Sequence, residues 1–327
     1  THCISSAASD VYKRQVVLRQ RSRILLRRKQ RPGAHLVKAS RLTGALGIAC
    51  SVLAGCSGVG EQDTVVVTST SFVAETPASA PLTSVAPDSE APIASGDAQA
   101  LLDATVADVT AEFGGELGVA TVGERGPVTG GFADATPAWS TMKVPIAVAA
   151  MRTQPGLESD VRAAITVSDN EAAGRLFKAV GPDAVDSVLA EAGVPAQVNM
   201  ADLRPEFSTF GQTLLSVADE AVLADFLPCA DGSGSVLGYM GQVDVSQRYG
   251  LGAVGALFKG GWGPDTAGRY HVRQLGLIPR GDGVWSPVAL TAISADGTYE
   301  TGQAMLTAAA TRLAEASPAL PAARCQP

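Results

Sequence analysis

The sequence contains few of the residues that bind catalytic metals. Its 327 residues include three histidines and five cysteines, and these are not grouped with the spacing of metal ligands. We therefore expect no metal and no other cofactor. His271 is the one histidine beyond the basic N-terminal region, so a serine–histidine–aspartate triad would have to use it. A structural role within a predicted strand is the simpler interpretation of His271.

Basic residues are scarce outside the first 55 positions. Eleven of the 25 Lys and Arg residues, but one of the 32 acidic residues, lie in residues 1–55, so the remainder holds 14 basic and 31 acidic residues. Nucleic-acid binding depends on Lys and Arg placed against phosphates. The acidic remainder therefore predicts a protein with no nucleic-acid partner.

The N-terminal region also lacks an apolar run long enough to cross a bilayer, which takes about 20 residues. Residues 1–15 resemble translated adapter sequence and are set aside. A basic stretch at 19–41 precedes an apolar run at 42–54, a pattern typical of a signal peptide. The following Leu-Ala-Gly-Cys at 53–56 is similar to a bacterial lipobox and predicts lipidation of Cys56. In the alternative, the signal is an ordinary one and Cys56 is incidental.

Three regions follow from this pattern: adapter-like residues and a lipoprotein signal peptide at 1–55, a lipidated linker at 56–95, and a folded domain at 96–327. The linker is rich in Ser, Thr, Pro and Ala and shows no sustained periodicity. The predicted location is the extracytoplasmic face of the membrane. Two cysteines remain in the exported domain, Cys229 and Cys325, and they form either one disulfide or two separate thiols.

Hydrophobic periodicity predicts an α+β domain. The expected helices span 98–113, 140–152, 160–167, 171–179, 184–192, 216–226 and 301–316. The expected strands span 116–122, 127–132, 253–259, 269–278 and 285–293. Because strands occur at both ends of the domain and helices between them, we expect one antiparallel sheet that is shared by the two ends and flanked by helices.

Three short motifs carry candidate chemistry. Ser140 and Lys143 are spaced i and i+3, so on a helix the hydroxyl and the amine can meet, and a buried amine can activate a serine. Ser168 and Asn170 could point into a cleft. Lys259 comes before glycines that would let a substrate lie along a strand edge. Each motif has an ordinary alternative: a chance helical pair, a capping box from Ser168 to Glu171, and a turn with an exposed lysine.

In this order the three motifs resemble those of the class A β-lactamase and penicillin-binding protein superfamily, in which S-x-x-K is followed by S-D-N and K-T-G. Residues 159–193 are similar to the helices around the second motif, and the resemblance covers about residues 96–316. Within the superfamily, the chain resembles the actinobacterial lipoprotein type. The resemblance implies a β-lactamase/transpeptidase-like fold. It also implies catalytic roles for five residues, namely Ser140, Lys143, Ser168, Asn170 and Lys259. Substrate contacts are implied for three more, namely Gly260, Gly261 and Trp262.

By the same resemblance, Ser140 is the nucleophile and Lys143 its base. Ser168 relays a proton, Asn170 binds a substrate carbonyl, and Lys259 supplies positive charge. The amides of Ser140 and Trp262 would form the oxyanion hole.

The sequence departs from the family pattern at three places. Gly260 stands where a hydroxyl is usual, and a lost charge-assisted hydrogen bond is worth about 1.5–3 kcal/mol; Trp262, Arg269 or Arg273 could compensate. Ser168 follows Ser140 by 28 residues, which implies a reduced helical subdomain. Arg204 takes the place of the glutamate that activates the deacylating water, and an arginine cannot act as a base. Glu206 is then the fallback base or a solvated loop acid.

These observations favour a lipid-anchored serine hydrolase that forms an acyl-enzyme at Ser140 and hydrolyses β-lactams weakly. Its expected partners are a β-lactam or a peptidoglycan stem peptide, and the membrane through its lipid. A monomer is expected. The alternative is a non-catalytic module that binds a cell-wall fragment or a partner protein with the same fold. An esterase for small acyl esters would use the same residues.

Overall fold

The computed structural model describes residues 95–281 and 283–327. The predictions for the signal peptide, for lipidation of Cys56 and for the linker concern residues outside this part of the chain, apart from residue 95, which begins the first helix. None of the described helices combines the length and the apolar character needed to cross a membrane.

The described residues form eight α-helices and seven short 3₁₀ turns. In chain order they are α1 Ser95–Phe113, α2 Lys143–Thr153, α3 Glu158–Thr166, α4 Asn170–Val180, α5 Pro182–Ala192, α6 Val217–Phe226, α7 Gly234–Met240 and α8 Tyr299–Glu315. Local sequence explains several ends. Asp169 caps α4, Ser216 caps α6 through a capping box with Asp219, and Gly193 ends α5 in the left-handed conformation.

Five strands form an antiparallel sheet in the order β2-β1-β7-β6-β5, with β5 at one edge. They are β1 Glu116–Gly123, β2 Gly126–Gly131, β5 Leu257–Pro264, β6 Tyr270–Pro279 and β7 Trp285–Ile293. A separate two-stranded ribbon pairs β3 Thr136–Pro137 with β4 Leu214–Leu215. The N-terminal hairpin therefore joins a sheet whose other three strands come from the C-terminal half.

Helices cover both faces of the sheet. Val272 and Arg273 are neighbours in β6, so their side chains point to opposite faces. Val272 lies against Gly302 of α8, whereas Arg273 contacts Glu220 of α6. Helix α1 packs with α8, and helices α2 to α5 and α7 form a helical layer. Ser140, Ser168 and Lys259 thus come from the helical layer and from the edge strand β5.

The predicted α+β class and the shared antiparallel sheet are confirmed. The strand predicted at 253–259 is wrong in its bounds, because residues 250–254 form a 3₁₀ turn and β5 continues to Pro264. The helix predicted at 140–152 begins as a 3₁₀ turn, Trp139–Met142, and becomes α-helical at Lys143. Helix α7 was not expected, because its short segment contains two glycines and no sustained periodicity.

A disulfide joins Cys229, just after α6, to Cys325 near the end of the chain, at a sequence separation of 96. Next to it, Arg324 is paired with the buried Asp225. The two contacts hold the C-terminal segment against α6.

We expect removal of this disulfide in a Cys229→Ser, Cys325→Ser double variant to lower the free energy of unfolding by about 2–5 kcal/mol, because the long loop is no longer closed in the unfolded chain. Urea denaturation of the oxidised protein and of the variant measures the difference. Reduced wild type serves as the control and should match the variant. Equal stability of oxidised and reduced protein would contradict the prediction.

Candidate active site

Two lysine amines meet at one serine hydroxyl between the helical layer and the sheet. Lys143 and Lys259 are fully buried. Lys143 Nζ donates to Ser168 O at 2.6 Å and to Asn170 Oδ1 at 2.7 Å, and lies 3.1 Å from Ser168 Oγ. Lys259 Nζ lies 2.9 Å from Ser168 Oγ and donates to Gly260 O at 2.7 Å. We call Lys143, Ser168, Asn170 and Lys259 the amine cluster.

Ser168 is free to serve the amines because its neighbour caps the helix. Asp169 Oδ1 accepts hydrogen bonds from the backbone N–H groups of Glu171 and Ala172 at 2.7 and 2.9 Å. The alternative interpretation of this motif, a capping box from Ser168 to Glu171, is therefore wrong. Ser168 itself has φ +57°, a strained conformation for a residue with a side chain. That backbone conformation brings both its carbonyl and its hydroxyl to Lys143.

Burial sets the ionisation of both amines. Desolvation lowers the pKa of Lys143 to about 7, although the negative charge of Asp169 opposes the shift. Desolvation also lowers the pKa of Lys259 well below its usual value, and the neighbouring Lys143 lowers it further. Two amines that share one hydroxyl resist carrying a charge each. The cluster therefore favours at least one neutral amine near neutral pH.

Ser140 lies one turn before Lys143. It belongs to the 3₁₀ turn Trp139–Met142, and Lys143 N–H bonds to the carbonyl of Ser140. Ser140 is partly exposed, whereas Thr141 and Met142 beside it are buried. The expected contact with Lys143 is not made as a hydrogen bond, since the Ser140 hydroxyl has no such bond within the described residues. Catalytic hydrogen bonds are often long in unliganded enzymes and tighten when substrate binds.

The glycines of β5 let the chain around Ser140 approach the strand. A Cβ at Gly261 would lie 2.7 Å from Ala138 O and 2.9 Å from Ser140 N, and one at Gly263 would lie 2.6 Å from the ring of Trp139. Gly260 points the other way, where the nearest atom to such a Cβ is Tyr249 Oη at 3.5 Å. Gly261 is therefore required by the backbone of Ser140, whereas Gly260 has space beside it.

Arg204 is the residue that the family resemblance puts in place of a glutamate. Its guanidinium donates to Pro264 O at 2.7 Å, at the end of β5, and lies 4.3 Å from the centre of the Phe207 ring. Phe207 in turn packs edge-on against Trp139. Glu206 is largely solvent-exposed and pairs with Arg204 at 3.1 Å. Among the described residues, no hydrogen bond connects Glu206 with Ser140 or with the amine cluster.

The residues expected to compensate for Gly260 are engaged elsewhere. Arg269 pairs with Asp265 in the hairpin turn after β5. Arg273 is fully buried and pairs with Glu220. Trp262 packs on Tyr299, with ring centres 5.3 Å apart. Both arginines are paired with carboxylates, and the hydroxyl nearest to the space at Gly260 is that of Tyr249. No motif in the sequence singled out Tyr249.

His271 does not belong to the amine cluster. It is 7% exposed, and its Nε2 lies 3.9 Å from Asp265 Oδ2. Burial lowers its pKa, and the residue lies in β6 between β5 and β7. No described serine hydroxyl bonds to it, and the described residues therefore contain no triad built on His271.

Solved structures with a fold similar to that of this chain include class A β-lactamases. They include a β-lactamase from Sphaerobacter thermophilus at 20% identity and a TM-score of 0.52, which covers 68% of this chain and 98% of that one. A class A β-lactamase from Mycobacterium abscessus matches at 15% identity and a TM-score of 0.53, covering 66% of this chain and 99% of that one. The TLA-3 extended-spectrum β-lactamase matches at 12% identity and a TM-score of 0.55, covering 67% and 99%.

The domain has the class A β-lactamase fold. Nearly the whole length of each matched β-lactamase is covered, so the resemblance is to the complete fold and not to a fragment of it. No protein-family model matches the chain, and a comparison with curated proteins finds no match either. In this β-lactamase fold, the amine cluster lies where the helical layer meets the edge strand β5.

We expect Gly261→Ala to lower the free energy of unfolding by about 1–3 kcal/mol, because the new Cβ would press on the backbone of Ala138 and Ser140. The neighbouring Gly260→Ala is the matched control, and it should be neutral or stabilise by up to about 1 kcal/mol, since its Cβ meets nothing closer than 3.5 Å. Chemical denaturation of the two variants makes the comparison. Equal effects would contradict the close approach at Gly261.

Proposed function

We propose that the protein is a serine hydrolase that forms an acyl-enzyme at Ser140 with β-lactams or with peptidoglycan stem peptides. The observation that supports this most directly is the buried Lys143. Its pKa of about 7 lets the amine be neutral under ordinary conditions, and it lies one turn from a partly exposed serine. A module that only binds ligands has no need for a desolvated amine next to a hydroxyl.

The first half of the proposed reaction uses Ser140 and the amine cluster. Ser140 Oγ attacks the substrate carbonyl carbon, and its proton passes to neutral Lys143 Nζ. The negative oxygen that results is stabilised by the backbone N–H groups of Ser140 and Trp262. The carbon–nitrogen bond then breaks, and the leaving nitrogen takes a proton through the Ser168 hydroxyl, which lies 3.1 Å from Lys143 Nζ. The product is an ester between Ser140 and the acyl group.

Lys259 supplies the anion-binding charge in this scheme. Burial lowers its pKa well below the usual value. A substrate carboxylate beside it would favour the protonated form and raise that pKa. Gly260 provides no hydroxyl to share the carboxylate, which weakens recognition of substrates with a carboxylate at this end.

Hydrolysis of the ester is the slow half. It needs a base to activate water, and a positioned base contributes about 10²–10⁴-fold. Arg204 is bonded to Pro264 O and a guanidinium has no acceptor for a proton, and Glu206 is paired with Arg204. The acyl-enzyme should therefore be long-lived.

The protein is further proposed to be a monomer held at the outer face of the cell membrane by lipidated Cys56, with residues 56–95 as a flexible tether. Cleavage of the signal peptide before Cys56 would release the mature chain. Metabolic labelling with a fatty acid, with Cys56→Ser as the comparison, tests the anchor independently of the chemistry.

We expect benzylpenicillin to add one intact molecule to the purified protein, because opening of the β-lactam ring loses no atoms. Intact-protein mass spectrometry measures the adduct, and it should persist because deacylation is slow. Ser140→Ala should abolish it, whereas Ser187→Ala, an exposed serine of α5, should leave it unchanged.

Absence of an adduct, with the antibiotic also unconsumed, would reject β-lactam acylation. Turnover of small activated esters by such a protein, abolished by Ser140→Ala, would then support the esterase. Inactivity on esters as well would support the non-catalytic binding module, which the missing hydroxyl at Gly260 also favours.

We expect the rate of adduct formation to rise with pH through about 7, because Lys143 must lose its proton before it can accept one from Ser140. At pH 5 the rate should be roughly a hundredfold below its plateau, because about one amine in a hundred is neutral at two pH units below its pKa. Time-resolved mass spectrometry from pH 5 to 9 records the profile. A flat profile would exclude Lys143 as the base.

A further inference from the structure

The turn that carries Ser140 has a strained backbone. Trp139, the residue just before Ser140, has φ +53°, which is rare for an aromatic residue. Such conformations cost about 1–3 kcal/mol and persist only where the surrounding structure holds them. The Trp139 ring is buried against Gly263 and Phe207. These contacts fix the ring of Trp139 but not the backbone on either side of it. Other groups must therefore hold that backbone in its strained conformation.

Arg273 holds the chain before the turn. Its guanidinium donates to Thr136 O and Thr136 Oγ1 at 3.0 Å and to Pro137 O at 3.2 Å. It also donates to Leu215 O at 3.0 Å, so it joins both strands of the β3–β4 ribbon. Arg273 is fully buried, and a planar guanidinium with several fixed donors suits this kind of backbone clamp.

Glu220 and Thr141 hold the chain after Ser140. Thr141 Oγ1 lies 2.5 Å from Glu220 Oε1 and 2.6 Å from Ala138 O. Ala138 is the residue just before the 3₁₀ turn Trp139–Met142. Glu220 Oε1 also lies 3.0 Å from Arg273 Nε. Thr141 and Glu220 are both fully buried. Arg273 thus holds the backbone before Ser140, and Thr141 with Glu220 holds the backbone after it. The buried ion pair between Arg273 and Glu220 joins the two sets of contacts.

The sheet completes the enclosure. Arg273 is the register partner of Gly261, so both lie on the sheet face against which the Ser140 turn packs. The position of a Cβ at Gly261 would be 3.0 Å from Thr141 N. The turn is thus bounded by β5 on one side and by Arg273, Glu220 and Thr141 on the other.

We propose that Thr141, Glu220 and Arg273 form a positioning network that fixes the strained turn 138–141 and so holds the Ser140 hydroxyl and amide in their reactive positions. The network does not touch the amine cluster in any described hydrogen bond, and it acts through the backbone of Ser140. The inference rests on the proposed function in that Ser140 is taken as the residue that is acylated.

Thr141→Val tests the network, because it removes the hydroxyl and nearly preserves the shape. The rate constant for benzylpenicillin labelling at saturating concentration should fall by between about tenfold and a hundredfold. A loss of this size is expected when a reacting group, here the Ser140 hydroxyl, is displaced by about 1 Å. The concentration that gives half the maximal rate should change less than threefold. Thr141→Ser restores the hydroxyl and should recover most of the rate.

Thr121→Val is the matched control. Thr121 is also fully buried, and its hydroxyl also donates to a backbone carbonyl, Pro287 O at 2.7 Å, but it lies on β1 away from the turn. Both variants should lose comparable thermal stability, and only Thr141→Val should lose labelling rate. A wild-type rate in Thr141→Val, or an equal loss in Thr121→Val, would overturn the proposal.

Hydrogen exchange separates this inference from the proposed function. The Thr141 N–H bonds to Ala138 O, so its exchange should be at least tenfold faster in Thr141→Val and unchanged in Thr121→Val. If wild type is not labelled but exchange changes as expected, the acylation proposal fails and the network remains. If exchange is unchanged, the network does not hold the turn, whatever the labelling result.

Discussion

Burial of two lysine amines around the Ser168 hydroxyl is the constraint on which the site depends. A buried amine loses its hydration, and unless polar partners replace that hydration the cost is several kcal/mol. Lys143 therefore needs Ser168 O and Asn170 Oδ1, and Lys259 needs Gly260 O. These acceptors come from the start of α4 and from β5. The amines thus join the helical layer to the sheet, and the same burial that costs stability gives Lys143 a pKa near neutrality.

Elements with sustained periodicity were predictable, and elements shaped by the site were not. The strand at Trp285–Ile293 has the bounds that its apolar pattern predicts, since it lies inside the sheet between β1 and β6 and nearly all of its residues are buried. Strand β5 was misplaced because Gly260, Gly261, Gly263 and Pro264 read as a turn. They lie in a strand because a side chain at 261 or 263 would displace the turn of Ser140 or the ring of Trp139. Local propensity was overruled there by a contact with residues more than 100 positions earlier.

Some residues of the candidate site were likewise predictable from the sequence, and others were not. Ser140, Lys143, Ser168, Asn170 and Lys259 could be selected from three short motifs, because their chemistry is unusual and their order is informative. The pairing of Glu220 with Arg273 could not be predicted. The sequence named Arg273 only as a possible compensation for Gly260 and did not single out Glu220, and only the fold reveals that both are fully buried and face each other. Neither was there a local signal that Asp169 would take the capping role and leave Ser168 to the amines.

The two halves of the proposed reaction place different demands on the chain. Acylation needs a neutral amine beside a rigid serine, and rigid elements provide it: α2, α4 and β5 hold the amines, and buried charges flank the turn. Deacylation needs a base on the loop at 204–212, and there the guanidinium of Arg204 instead ties the loop to the end of β5. An arginine at that position stabilises the loop through Pro264 O and Phe207 while it removes the carboxylate that would activate water. In the proposed reaction this arrangement favours capture of an acyl group over its release, because the groups for acylation are held in place and the base for deacylation is missing from the loop.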